Sequence, residues 1–171
     1  MSKKFIKWLL IVIWLIVIFS FSAMDSAESD GQSKGLIENT VSGTINVTDK
    51  IGITNINPTE EDIDAIVDNL NHPIRKLAHA TVYFILALLV LNALETAKDN
   101  LKRNVLITLA FCFLYACTDE FHQLFIDGRS GSFVDCLIDT AGAAVACGCF
   151  ALFLYISKKW KNVHNIQPKN T

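Results

Sequence analysis

Phe5–Phe21 reads FIKWLLIVIWLIVIFSF, and a run this apolar is at home in lipid. Only Lys7 is charged, near one edge, where its aliphatic stem can carry the ammonium back to water. A helix needs about 20 predominantly apolar residues to cross the hydrocarbon core, and Ser22 and Ala23 bring the stretch to that length. Lys3 and Lys4 ahead of it also suit a cleaved leader. Cleavage wants small residues at −3 and −1, which only Ser20-Phe21-Ser22 approximates. The stretch is therefore read as an uncleaved anchor.

Working outward, three more runs have the same character. Ile74–Leu94 is apolar after His79 and Tyr83. Val105–Ile126 is apolar up to Cys117 and then turns polar. Phe133–Ile156 carries Asp135 and Asp139 in its first turns, then reads AGAAVACGCFALFLYI. The prediction is an all-α integral membrane four-helix bundle, one domain over residues 1–171. Its spans are expected at about 5–23, 74–94, 105–126 and 133–156, each long enough to cross with some tilt. The lipid bilayer is the first partner implied. Bulk numbers agree: 171 residues, 51% hydrophobic, 19% charged, formal net charge −2. They exclude a disordered or collagen-like chain. Fifteen Lys+Arg against 17 Asp+Glu give no basic patch, so no nucleic-acid partner is expected.

Charge sorting predicts the orientation. Lys and Arg gather in cytoplasmic flanks. With the N-terminus inside, Lys3, Lys4, Lys7, Lys98, Lys102, Arg103, Lys158, Lys159, Lys161 and Lys169 all fall inside, against Glu95 and Asp99 alone. The other fifteen acids fall outside. Both termini are thus expected to be cytoplasmic, with one long extracellular loop over 24–73 joining helices one and two. Within that loop, Thr44–Thr48 and Ile51–Ile53 alternate weakly around Asp49-Lys50, which allows a short hairpin. Pro58 and Thr59 before Glu60, Glu61 and Asp62 predict a capped helix start. Ile63, Ile66, Val67 and Leu70 then repeat at helical spacing. This stripe is acid-flanked rather than Lys-rich, so it is expected to pack on protein rather than on anionic lipid.

Ionisable residues within spans are costly, roughly 2.5–3.5 kcal/mol each at mid-helix and less near the ends. Here they sit on three spans, all toward one membrane face. Arg75, His79 and Tyr83 are spaced i, i+4, i+8. Asp119, His122 and Gln123 are spaced i, i+3, i+4. Asp135, Asp139 and Gly142 are spaced i, i+4, i+7. Each set falls on one helical face, and facing stripes would line a shared polar pocket near the outer leaflet. Without Gly142 and with Lys76, Glu120 and Arg129 added, these residues are the candidate binding set. The expected pairs are Arg129 with Asp135 or Asp139, and Arg75 with Asp119. His122, Asp119, Glu120 and His79 are the catalytic candidates, with His122 as a general base oriented by a carboxylate. The same residues also read as interhelical glue, since polar contacts hold helices together in lipid. His79, His122, Asp119, Glu120, Asp135 and Asp139 are metal-ligand types, but no compact metal motif is present, so neither metal nor cofactor is expected.

The five cysteines all fall within spans and read as small apolar packers. Gly142 with Ala146, and Ala144 with Gly148, have the small-xxx-small spacing of a close helix seam. A homo-oligomer face is the alternative use of those positions.

Several of these motifs together resemble the VanZ-like family of small bacterial membrane proteins. They are Arg75-Lys76-Leu77-Ala78-His79 with Tyr83, Thr118-Asp119-Glu120-Phe121-His122-Gln123-Leu124-Phe125, Asp127-Gly128-Arg129-Ser130-Gly131-Ser132-Phe133, and Asp135 with Asp139 and Gly142. The resemblance covers about residues 5–23 and 74–156. It implies action at the outer face, linked to glycopeptide (teicoplanin) resistance or a related envelope role. An amphipathic or lipid-linked ligand is the expected partner. A membrane enzyme acting on a lipid-linked envelope substrate by acid–base or metal chemistry, or a structural partner subunit, are the alternatives. The chain departs from the family pattern at Val82, where an acid is frequent, at Asp127, where a proline is frequent, and at Ser22-Ala23-Met24, where a Ser-Ser-Gln-like stretch is frequent.

Overall fold

A computed structural model describes residues 2–24, 26–50, 59–94, 100–126, 129 and 131–164. Among them are five helices and no strand. They are α1 (Lys3–Ser22), α2 (Ser26–Lys50), α3 (Glu60–Leu94), α4 (Leu101–Gln123) and α5 (Phe133–His164). All but α2 are long and apolar enough to cross a membrane. Between 17% and 33% of each apolar window is buried within the protein. The rest presents side chains such as Leu106, Leu114, Val145 and Phe153 outward, as a bundle solvated by lipid should.

The segment between the first two spans departs from the expectation. Residues 26–50 form α2, so the hairpin is not made on its Thr44–Thr48 side, and Ile51–Ile53 lie outside the described residues. Gly31, Gly35 and Gly43, with Thr40 and Thr44, make this a poor helix by propensity. Tertiary contact with α3 supplies what propensity lacks. Ile37 is buried, Ser33 Oγ donates to Asn71 Oδ1, and Lys34 Nζ lies 2.7 Å from Asp68 Oδ1.

The predicted cap at Thr59 is formed. Thr59 Oγ1 accepts from the Asp62 amide at 3.2 Å, and the Thr59 amide donates to Asp62 Oδ2 at 3.0 Å. This reciprocal pairing satisfies amides that have no partner within the helix. Of the stripe that follows, Val67 is buried and Ile63 half-buried, while Ile66 and Leu70 are exposed, so it packs on protein only in part. The helix does not stop before the span but runs on through Pro73. Its 35 residues reach about 52 Å at 1.5 Å per residue, well beyond the hydrocarbon core. Pro73 removes one backbone donor where the polar extension meets the apolar span.

The core is small-residue packing among α3, α4 and α5, closed on one side by α1. Tyr83, Leu86, Ala87, Cys112, Ala116, Cys136, Ala143 and Ala146 are buried, together with Ile11 and Ile18 of α1. The contact of α3 with α5 is the most extensive, and Gly142 explains it. A Cβ built there would overlap the backbone carbonyl of Ala80, so only glycine allows this approach. Ala146 on the same seam is fully buried. Gly148 meets nothing within 4 Å. Trp14 Nε1 donates to the Val82 carbonyl at 2.9 Å, and Tyr115 Oη donates to the Leu15 carbonyl at 2.8 Å. These bonds tie α1 to α3 and α4. The described cysteines are all free thiols.

Candidate functional site

The approach of Gly142 to Ala80 sets the site, because His79 precedes Ala80 and Asp139 lies one helical turn before Gly142. Around them a polar cavity of about 230 Å³ opens between α3, α4 and α5. From α3 come His72, Arg75, Lys76 and His79. From α4 come Glu120 and Gln123, and from α5 come Asp135, Ile138 and Asp139. Arg129 enters from the α4–α5 connection. Beside it lies an apolar cavity of about 220 Å³, lined by Ile18, Phe21, Met24, Leu36, Ile74, Ala78 and Val82 among others. Arg75, His79 and Arg129 line both cavities.

Several anticipated residues take roles that spacing alone did not show. Lys76 Nζ lies 2.7 Å from Asp135 Oδ1, so a lysine takes the acid expected to pair with an arginine. Neither oxygen of Asp139 has a hydrogen-bond partner among the described residues, so the expected alternative, Arg129 on Asp139, is not made as a hydrogen bond. Glu120 is buried, and its Oε2 accepts the Ser132 amide at 2.7 Å. That bond holds the chain at the start of α5 against the end of α4. Gly131 lies in the same crossing: a Cβ there would overlap the Glu120 carbonyl oxygen and press on Leu124. His122 packs against Phe19 of α1, with ring centroids 4.6 Å apart and the rings tilted by 42°, and does not line either cavity. Asp127, Gly128 and Ser130 lie outside the described residues.

One group converges behind the polar cavity. His79, Asp119 and Asp139 each bring one ligand-capable atom within 4.8 Å of the others. Asp139 is 1% exposed and Asp119 4%. Ser22, His122 and Gln123 neighbour the Asp119 carboxylate. Tyr83 is fully buried within electrostatic reach of both aspartates. Its hydroxyl and Asp119 Oδ2 also lack hydrogen-bond partners among the described residues. Burying polar groups this way is expensive unless something satisfies them.

His72 was not singled out from sequence, though it sits three residues before Arg75 and so on the same helical face. The apolar cavity had no sequence signal, because faces of three successive helices and Arg129 must come together to assemble it. Val82, the departure from the family pattern, lies in its wall. An acid there would put a charge where this chain offers hydrocarbon.

No curated protein and no solved structure matches the chain significantly. The family model described as VanZ/LLP1 matches residues 5–154. With that match spanning most of its length and reaching into all four apolar helices, the chain belongs to the VanZ/LLP1 family.

Proposed function

We propose that this protein acts at the outer face of the bacterial cell membrane by holding an amphipathic or lipid-linked ligand with an anionic head. By this means it lowers susceptibility to glycopeptides such as teicoplanin or serves a related envelope role. The observation that carries the reading is the meeting of a polar and an apolar cavity at Arg75, His79 and Arg129. An amphiphile presents the same two chemistries joined at one point. Arginine forks suit phosphate and carboxylate oxygens, and the apolar cavity suits an alkyl chain. The outward orientation is supported by the basic flanks Lys3, Lys4, Lys102, Arg103, Lys158 and Lys159 at the opposite ends of the spans.

The test is expression in a susceptible host, with the teicoplanin inhibitory concentration as readout. The wild-type chain is expected to raise it. Arg129→Ala, present in the membrane at an equal level, is expected not to. An inhibitory concentration unchanged by the wild-type chain refutes the resistance role.

A second reading, an enzyme acting on a lipid-linked substrate, is favoured by the convergence of His79, Asp119 and Asp139. His79 then replaces His122 as the acid–base candidate, since it is His79 that lines the cavity. Glue accounts for Lys76, Asp135 and Glu120, whose ion pair and hydrogen bond from the Ser132 amide join neighbouring elements.

A further inference from the structure

We propose that His79, Asp119 and Asp139 form a binding site for one divalent transition-metal ion at the junction of α3, α4 and α5.

The geometry comes first. Three ligand types from three helices reach within 4.8 Å of one another. Bonds of about 2.1 Å in a tetrahedron set ligand atoms roughly 3.4 Å apart, so modest side-chain rotations close the triad on an ion. Independent of that convergence is the state of the buried atoms. Both oxygens of Asp139 and one of Asp119 are shut away from solvent without a hydrogen-bond partner among the described residues. An imidazolium donating to Asp139 would be the ordinary solution for such a pair, yet Asp139 receives no hydrogen bond from the described residues. Two carboxylates this close repel in a low dielectric unless a cation lies between them or a proton neutralises one. Lys76 is engaged by Asp135, and Arg129, whose charge acts on Asp119, makes no hydrogen bond to Asp139.

The donor set then selects the ion. One imidazole nitrogen and two carboxylate oxygens suit zinc or manganese, and the general affinity order favours zinc. Three protein ligands leave a coordination position open, as at catalytic zinc sites. His79 and Asp139 also line the polar cavity, so the open position faces it and could take an oxygen of a bound ligand. Ion binding itself does not depend on the amphiphile reading. The sequence offered these ligand types without a compact motif, because they come from three helices.

The experiment uses the full-length, untagged protein in detergent micelles, stripped with chelator and then titrated with zinc chloride or manganese chloride. Metal per chain is read by elemental analysis, and affinity by competition with a chromogenic chelator. The expected result is one equivalent of zinc, held more tightly than manganese. Asp139→Asn and His79→Gln are expected to weaken it by at least about 100-fold, since even outer partners of metal ligands are worth 10–100-fold. Asp135→Asn is expected to keep it. Failure of the wild type to bind overturns the proposal and leaves proton sharing between the aspartates as the explanation. Equal affinity in Asp139→Asn overturns it too. Should both ligand variants fail to fold, cobalt loading of the wild type decides. Visible bands of a four- or five-coordinate nitrogen–oxygen site support the proposal. A six-coordinate aquo spectrum, or a thiolate charge-transfer band reporting cysteine ligation, refutes it.

Discussion

The glycine at 142 permits a sharp test of how α3 and α5 meet. In Gly142→Ala the new Cβ would lie 2.8 Å from the carbonyl carbon of Ala80 and 3.0 Å from its Cα. Carbon atoms in contact sit about 3.5 Å apart or more, so the helices must part by at least ~0.7 Å. The obstacle is backbone and cannot swing aside. Overpacking of this kind costs typically 1–3 kcal/mol. Alanine also gains up to about 1 kcal/mol over glycine in helix propensity, which would mask part of the cost. Gly148→Ala cancels that gain, since Gly148 lies on the same helix with nothing within 4 Å. The difference between the two variants isolates the clash at about 1–3 kcal/mol. For a chain of this size that corresponds to roughly 2–12 °C in Tm. The assay is thermal unfolding of both variants in the same micelles, followed by circular dichroism. Gly142→Ala is expected to melt below wild type or level with it, and Gly148→Ala level with it or above. Equal melting of the two variants refutes the close approach, and with it the geometry that brings His79 to Asp139.

The remaining expectations follow from single contacts. Glu120→Ala frees the Ser132 amide and is expected to cost about 1.5–3 kcal/mol, the usual range for a hydrogen bond to a charged group, read by denaturant unfolding in micelles. Tyr115→Phe removes only the bond to the Leu15 carbonyl and is expected to cost about 0.5–1.5 kcal/mol in the same assay. A loss beyond ~3 kcal/mol would mean that the hydroxyl does more than tie α1 to α4. Val82→Asp places a carboxylate in the wall of the apolar cavity. It is expected to weaken binding of a long-chain alkyl phosphate, measured by microscale thermophoresis, at least tenfold. Unchanged binding would place the chain elsewhere.

The sequence by itself determined the spans, because crossing a membrane depends on apolar length, a property of one segment at a time. The expected spans at about 5–23, 105–126 and 133–156 fall on the helices Lys3–Ser22, Leu101–Gln123 and Phe133–His164, the last of which runs on past its apolar stretch. The cap at Thr59 is as local, involving only residues three apart. The polar faces were legible too, since i, i+4 spacing survives whatever the helix packs against. Tertiary structure alone decided how those faces turn toward one another. His122 and Asp119 stand three residues apart on α4, yet His122 meets Phe19 of α1 while Asp119 meets His79 and Asp139. Helix rotation and interaxial distance settle such a choice, and here they are set by Gly142 against Ala80. The α2 helix belongs to the same class. Its glycines and threonines argue for loop, and only the partner surface of α3, with Asn71 and Asp68 placed to receive Ser33 and Lys34, makes it helical. The apolar cavity is the extreme case: its walls come from α1, α2 and α3, and no one of them carries it alone.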